Sequence, residues 1–258
     1  MATLRICSWN VNGIRAGMRA GTFPRWLAET EPDIIGLQEA KARSDQVDDS
    51  SWREAGYEVV WHAAEKPGYS SAVLLTKRKP ESLRTGLDTP DYEREGRVIE
   101  ADFGDFVLLT SYFPNAGRKL ERLDFKLGYY EVFLERIVAL RDAGRNVIFM
   151  GDLNVAHHEV DVERPGEKGS GFLPAEREWV DRVIANGFVD TFRRLHPDAE
   201  RAYSFWDPWR ERRERNIGWR IDYVFVSEDL LPAVQSAFIE AEVLGSDHCP
   251  VGIELEIG

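Results

Sequence analysis

The sequence predicts an α/β protein. Short apolar runs of strand length recur along it, several ending on a carboxylate or an amide, and longer segments place apolar residues at three- and four-residue steps. With 258 residues, 43% of them hydrophobic, the chain can bury a substantial core. Nothing in the composition demands more than one domain, taken as 1–258.

Leu4 to Trp9 alternates apolar and polar residues as a half-buried strand does, and ends at Asn10-Val11-Asn12-Gly13. A helix is expected from Thr22 to about Thr30, with Phe23, Trp26 and Leu27 on one face and Pro32 just beyond its end. Ile34 to Gln38 reads as an apolar strand delivering Glu39, with Lys41 close behind. Glu58–Trp61 and Ser71–Leu75 read as strands. Arg97–Phe103 and Phe106–Tyr112, separated by Gly104-Asp105, read as a hairpin that leads into Phe113-Pro114-Asn115.

The longest expected helix runs from Leu120 to Ala143, with Leu123, Leu127, Tyr130, Leu134 and Ile137 in register and Gly144 as its C-terminal cap. Val147 to Met150 is an apolar run bounded by Asn146 and Gly151, so Asp152 and Asn154 are expected to emerge at the end of a buried strand. A charged, glycine-containing loop, His157 to Leu173, precedes a helix that starts at Pro174, turns Trp179, Val180, Val183 and Ile184 inward, and stops at Gly187. Tyr223–Val226 and Val251–Leu255 read as strands, preceded by Asp222 and by Gly245-Ser246-Asp247-His248 respectively.

Composition narrows the function. Cys7 and Cys249 stand apart without CxxC spacing, which argues against a disulfide framework or a zinc site and makes both small core residues. No basic segment followed by an apolar run opens the chain, and no stretch approaches 18 apolar residues, so neither a signal peptide nor a membrane span is expected; the location expected is cytoplasmic, near the nucleoid in a bacterium. The net charge of −12 speaks against a polyanionic partner, but its distribution qualifies that. Arg210, Arg212, Arg213, Arg215 and Arg220 are interleaved with Trp206, Trp209 and Trp219, a mixture suited to phosphates and bases.

Asn10, Asn12, Glu39, Tyr112, Asn115, Asp152, Asn154, Asp222, Asp247 and His248 all fall at strand ends. Carboxylates and amides without thiolates are oxygen ligands, suited to Mg²⁺ or Mn²⁺, and Mg²⁺ commonly shares its shell with phosphate. His248, flanked by Asp247 and with Asp222 available to its ring, is a candidate for holding or protonating a phosphate oxygen.

Ser8-Trp9-Asn10-Val11-Asn12-Gly13-Ile14-Arg15, Leu37-Gln38-Glu39, Tyr112-Phe113-Pro114-Asn115, Gly151-Asp152-Leu153-Asn154, Gly218-Trp219-Arg220-Ile221-Asp222-Tyr223 and Gly245-Ser246-Asp247-His248-Cys249-Pro250 resemble, in order, the motifs of the exonuclease III family of AP endonucleases. The resemblance implies a four-layer α/β/β/α sandwich of two mixed sheets flanked by helices. It implies a monomeric enzyme that cleaves double-stranded DNA 5′ to abasic sites with Mg²⁺, or Mn²⁺ in its place, and that also acts on 3′ ends as an exonuclease and a phosphatase or phosphodiesterase. It assigns Glu39, Asn10, Asn12 and Asp247 to the metal. Asp152 corresponds to the group that orients and deprotonates the attacking water, with an ionised Tyr112 as the alternative base, Asn154 to its positioning amide, and Asp222 to the partner of His248. Tyr112, Asn115 and His248 correspond to phosphate contacts, and Arg118, Trp209, Arg210 and Arg220 to DNA contacts. Phe205, Trp219 and Ile221 correspond to the pocket for a flipped abasic sugar.

The chain departs from the family pattern at Asn12, where some members carry Asp, at Ala40, where Thr is usual, and at Ser71, where Gly is common. Two alternatives stand beside this reading: a phosphatase or phosphodiesterase of the same superfamily acting on substrates other than DNA, and a DNA-binding relative without catalysis.

Overall fold

The computed structural model describes residues 2–164 and 169–257. The expected loop His157 to Leu173 therefore includes four positions, 165–168, that lie outside the described residues. In chain order the elements are β1 (Ala2–Asn10), α1 (Ile14–Ala20), α2 (Thr22–Thr30), β2 (Ile34–Gln38), α3 (Ser50–Glu54), β3 (Glu58–His62), β4 (Ala72–Thr76), β5 (Ser82–Thr85), α4 (Pro90–Glu93), β6 (Val98–Asp102), β7 (Val107–Tyr112), α5 (Leu123–Asp142), β8 (Val147–Asp152), α6 (Pro174–Ala185), β9 (Phe188–Asp190), α7 (Thr191–Leu195), β10 (Asp222–Ser227), β11 (Val234–Ile239) and β12 (Val251–Ile257).

They form two six-stranded sheets, ordered β11-β12-β1-β2-β4-β3 and β5-β6-β7-β8-β10-β9. Each sheet is mixed in the same way: β1 and β2 are parallel at the centre of one, β7 and β8 at the centre of the other, and their outer neighbours run antiparallel. The four-layer α/β/β/α arrangement expected from the sequence is the one observed.

The layering follows from period two. Ile34, Leu74, Leu108, Ile148, Met150, Val224 and Ile253 point between the sheets. Their neighbours Ile35, Leu37, Val73 and Leu75 face a layer containing Phe23, Trp26 and Leu27 of α2, while Val147, Phe149, Tyr223 and Phe225 face Phe133, Ile137 and Trp179 of α5 and α6. Both faces of the central strands are thus covered, which is why they read as unbroken apolar runs. The sheets approach closely at Gly36, where a Cβ would lie 2.1 Å from Thr110 Oγ1. Just above, Gln38 Nε2 donates to Thr110 Oγ1 (3.0 Å) and Ser8 Oγ (3.0 Å), joining the sheets beneath their polar ends.

Three strands escaped the sequence reading: β5, β9 and β11. All are sheet edges with partly solvated faces, so they carry little apolar signal. The long helix begins at Leu123 rather than Leu120, whose φ of 61° is left-handed. Its inward stripe is Lys126, Tyr129, Tyr130, Phe133, Leu134 and Ile137, rotated from the expected face and containing a lysine.

The arginine- and tryptophan-rich segment is also revised. Arg213 donates to the carbonyls of Ser246, Ala241 and Val243 and lies over the buried Trp206 ring, bracing a loop. Arg220, expected at the DNA, is fully buried. Its guanidinium pairs with Asp161 (Nε at 2.8 Å) and Asp190 (Nη2 at 2.7 Å), and Arg193 also reaches Asp161. These contacts hold the Asp161 carboxyl well below the usual range against burial, which alone would raise it. Arg220 therefore ties the loop of Asp161 to β9 and β10 and does not face solvent.

Removing one member of such a buried network leaves charge without a partner. Arg220→Met is expected to destabilise the fold by about 3–5 kcal/mol, read as a lowered urea midpoint; a shift under about 1 kcal/mol, as for an exposed ion pair, would contradict the structural role.

Candidate active site

The polar strand ends meet at one edge of the sandwich. Asn10 ends β1, Glu39 follows β2, Tyr112 ends β7 and Asp152 ends β8. Asp222 opens the antiparallel β10 in register with Asp152, and His248 lies just before β12. The convergence requires Gly151, whose φ is 146° and where a Cβ would lie 1.8 Å from the Ser111 carbonyl oxygen.

Asp152 is almost wholly buried, and both its oxygens are engaged. Oδ1 accepts from the Asn154 backbone N–H (2.8 Å), and Oδ2 accepts from Asn10 Nδ2 (2.9 Å) and Asn154 Nδ2 (3.3 Å). Burial dominates its acidity and, with the charges of Asp222 and Glu39, outweighs the opposing effect of His248; the carboxyl is raised to about 7. Asn154 sits at φ 52°. Its Nδ2 also donates to the Phe113 carbonyl (3.0 Å), and its Oδ1 accepts from Asn115 Nδ2 (2.9 Å), so Asn115 orients Asn154 as well as facing solvent.

His248 donates Nδ1–H to Asp222 Oδ2 at 2.8 Å, and Ser204 Oγ donates to the same oxygen at 2.7 Å. Burial alone would lower the imidazolium, but Asp222, Asp152 and Asp247 overcome it and raise His248 to about 10. Its Nε2 faces Asp152 Oδ2 across 3.9 Å, beyond direct hydrogen-bond reach. The Tyr112 phenol moves the other way from an activated base: burial, then Glu39 and Asp152, push it well above its ordinary value, so it remains a donor.

Oxygen donors cluster beside these groups. Glu39 Oε1 accepts from Asn10 Nδ2 (2.9 Å), and Asn12 Nδ2 donates to Asp247 Oδ1 (3.0 Å). The Lys41 ammonium pairs with Glu39 Oε2 at 2.9 Å and donates to Asn12 Oδ1, placing a positive charge between two of the four residues expected to hold metal. Burial would raise Glu39, but Lys41 and Asn10 hold it below its ordinary value. Asp152, Asp222 and His248 form a second set with potential ligand atoms within 4.8 Å of one another. Cys7 and Cys249 are buried, and burial raises both thiols, aided at Cys249 by the charge of Asp222. A hard oxygen set already organised around a cation fits a divalent metal ion.

A cavity of about 400 Å³ opens over these groups. Phe205, Trp219 and Ile221 form its apolar wall, backed by Ala156, Val162 and Phe172, and the Phe205 and His248 ring centroids are 4.7 Å apart. Ser170, Gly171, Asp207 and Arg212 complete the lining. Of these the sequence reading singled out Arg212 alone, and only as one of a run of arginines; the others sit in loops with no periodicity to expose them. Arg118, Trp209 and Arg210 are exposed outside the cavity, Trp209 at 63%. Ser71 adopts φ 76°, a conformation natural to glycine, with its Oγ accepting from Ala64 N–H and donating to the Tyr69 carbonyl.

The sequence profile of the Endonuclease/Exonuclease/phosphatase family matches residues 7–248. An exodeoxyribonuclease of Bacillus subtilis is 43% identical over 98% of this chain and 100% of its own. The zebrafish (Danio rerio) DNA repair nuclease APEX1 is 38% identical, covering 99% of this chain and 83% of its own. The solved structure of an AP endonuclease from Archaeoglobus fulgidus superposes with a TM-score of 0.88 at 27% identity, covering 98% of this chain and 100% of the other. The chain belongs to the Endonuclease/Exonuclease/phosphatase family, whose nucleases are metal-dependent. Within it, the chain is a DNA repair nuclease of the exonuclease III type.

The His248 ring owes its raised basicity chiefly to Asp222, so Asp222→Asn is expected to move the His248 titration down from about 10, followed by ¹⁵N NMR of the ring nitrogens across pH. An unchanged titration would mean that Asp152 or Asp247 controls the ring instead.

Proposed function

We propose that this nuclease hydrolyses the phosphodiester 5′ to abasic sites in double-stranded DNA, using Mg²⁺ or, in its place, Mn²⁺. We extend the proposal to 3′ ends, where the same centre would act as a 3′-5′ exonuclease and a 3′ phosphatase or phosphodiesterase. The observation that carries the reading is one cavity holding both a buried carboxylate raised to about 7 and an apolar wall of Phe205, Trp219 and Ile221. Such a wall suits an extruded sugar that has lost its base, and extrusion costs least where pairing is already lost.

In this reading Asp152 takes the proton from the attacking water, since a base with its pKa near 7 is matched to neutral pH. The raised phenol of Tyr112 disfavours it as the base and suits it to donate to a phosphate oxygen. Asn154 aligns the water, itself held by Asn115 and the Phe113 carbonyl. His248, charged through Asp222, offers Nε2–H to a non-bridging oxygen. A divalent cation held by Glu39 with Asn10, Asn12 and Asp247 would neutralise phosphate charge when bound. Arg118, Trp209 and Arg210, exposed and outside the cavity lining, are assigned to the flanking duplex, and the enzyme is assigned as a monomer.

The test compares turnover on abasic duplex, intact 3′-recessed duplex and an inositol phosphate, with Mg²⁺, with Mn²⁺ and with chelator. Abasic duplex is expected to be nicked fastest, and faster turnover of the inositol phosphate would overturn the DNA reading. Asp152→Asn and Glu39→Ala are each expected to lower kcat by at least about 100-fold; retention of wild-type nicking by either would overturn its assigned role. Because Asp152 acts deprotonated, the rate is expected to rise with pH up to about 7 and then level, and to be lost as pH falls below that value.

A further inference from the structure

Asn154 is held by its backbone as well as its side chain, and the backbone anchor comes from outside the cavity. Its carbonyl oxygen accepts from Lys126 Nζ at 2.7 Å. Lys126 lies on the inward stripe of α5 and Glu176 in the first turn of α6; both side chains are fully buried, and they pair at 2.5 Å. The other carboxylate oxygen of Glu176 accepts from the backbone N–H groups of Gly171 (2.7 Å) and Leu173 (2.8 Å).

Gly171 is part of the cavity lining. Its carbonyl accepts from Ala156 N–H at 2.8 Å, and a Cβ at this position would lie 3.2 Å from the Asn154 carbonyl oxygen and 3.3 Å from the Trp219 ring. One buried ion pair thus fixes two distances together: that of the Asn154 peptide from α5, and that of the cavity lip from the same peptide. Neither charged group lines the cavity.

A buried ion pair is weak evidence for stability, because apolar residues of similar volume often serve as well or better. The placement of this one accounts for it in another way. We propose that Lys126 and Glu176 are positioning residues, locking the Asn154 peptide to the Gly171 lip so that the amide at the reacting centre and the wall facing the substrate keep one fixed separation. The proposal rests on the assignment of Asn154 to the attacking water.

The double variant Lys126→Met with Glu176→Gln removes both charges without stranding either, and keeps an acceptor for the Gly171 and Leu173 amides. It is expected to unfold at a urea midpoint close to that of the wild type and to keep KM within about threefold. Its kcat is expected to fall about 10- to 100-fold, the cost of a displacement of order 1 Å at a reacting centre. The side-chain amide resonances of Asn154, assigned with Asn154→Asp, are expected to shift, and Lys126→Arg, which keeps charge and donor, to recover most of the lost kcat. If the double variant does not fold, Glu176→Asp, which keeps both charges but shortens the carboxylate's reach, is expected to show the same separation of kcat from KM.

A folded variant with unchanged kcat and unshifted Asn154 resonances would overturn the proposal, as would a loss confined to KM. The ratio of variant to wild type is taken on whichever DNA substrate the wild type cleaves. Absence of abasic cleavage in the wild type would then count against the functional reading, while an unaffected variant would count against the ion pair.

Discussion

The site depends on one amide. Asn10, ending a strand of the first sheet, donates from the same Nδ2 to Glu39 beside it and to Asp152 at the end of a strand in the second sheet, each at 2.9 Å. The two carboxylates are thereby held to one amide, although like charges in a desolvated cleft repel. Part of that repulsion adds to burial in raising the pKa of Asp152, and in the proposed reading this suits the group to act as a base at neutral pH. The Gln38–Ser8–Thr110 contacts and the bare Cα of Gly36 bring the sheets together beneath it.

Around this contact the charges alternate. Lys41 offsets Glu39, Asp222 sustains the charge on His248, and the ring in turn faces Asp152. Several of the backbone conformations involved are uncommon: Asn12, Glu39, Lys41 and Asn154 all have left-handed φ values between 43° and 52°. Side chains other than glycine adopt this region at a cost of about 1–3 kcal/mol each. The surrounding hydrogen bonds hold them there, and such outliers collect where function demands a particular direction from a side chain.

Much of this architecture was legible in the chain. The apolar runs of β2, β4, β7, β8 and β10 marked strands covered on both faces, and the polar residues beside one end of β1, β2, β7, β8, β10 and β12 marked the edge where a site would form. The edge strands β5, β9 and β11 were not legible, since a half-solvated strand carries no continuous apolar signal. Lys126 leaves a trace in the sequence: it shares the helical stripe of Tyr129, Tyr130 and Phe133, where a charged residue implies a buried partner. Arg220 misled in the opposite direction. An arginine among tryptophans looks like a phosphate contact, and only the positions of Asp161 and Asp190 show that its charge is already satisfied.

Composition, periodicity and the order of motifs are local properties, so the chain alone determined the α/β class, the strand ends that carry chemistry, and an oxygen-rich site without thiolates. Which nitrogen of His248 faces Asp222, why Asp152 is raised while Glu39 is lowered, and which arginines reach solvent depend on distances of a few ångströms between residues far apart in sequence. Electrostatic interactions vary steeply with both separation and burial. Tertiary structure alone supplies those two quantities.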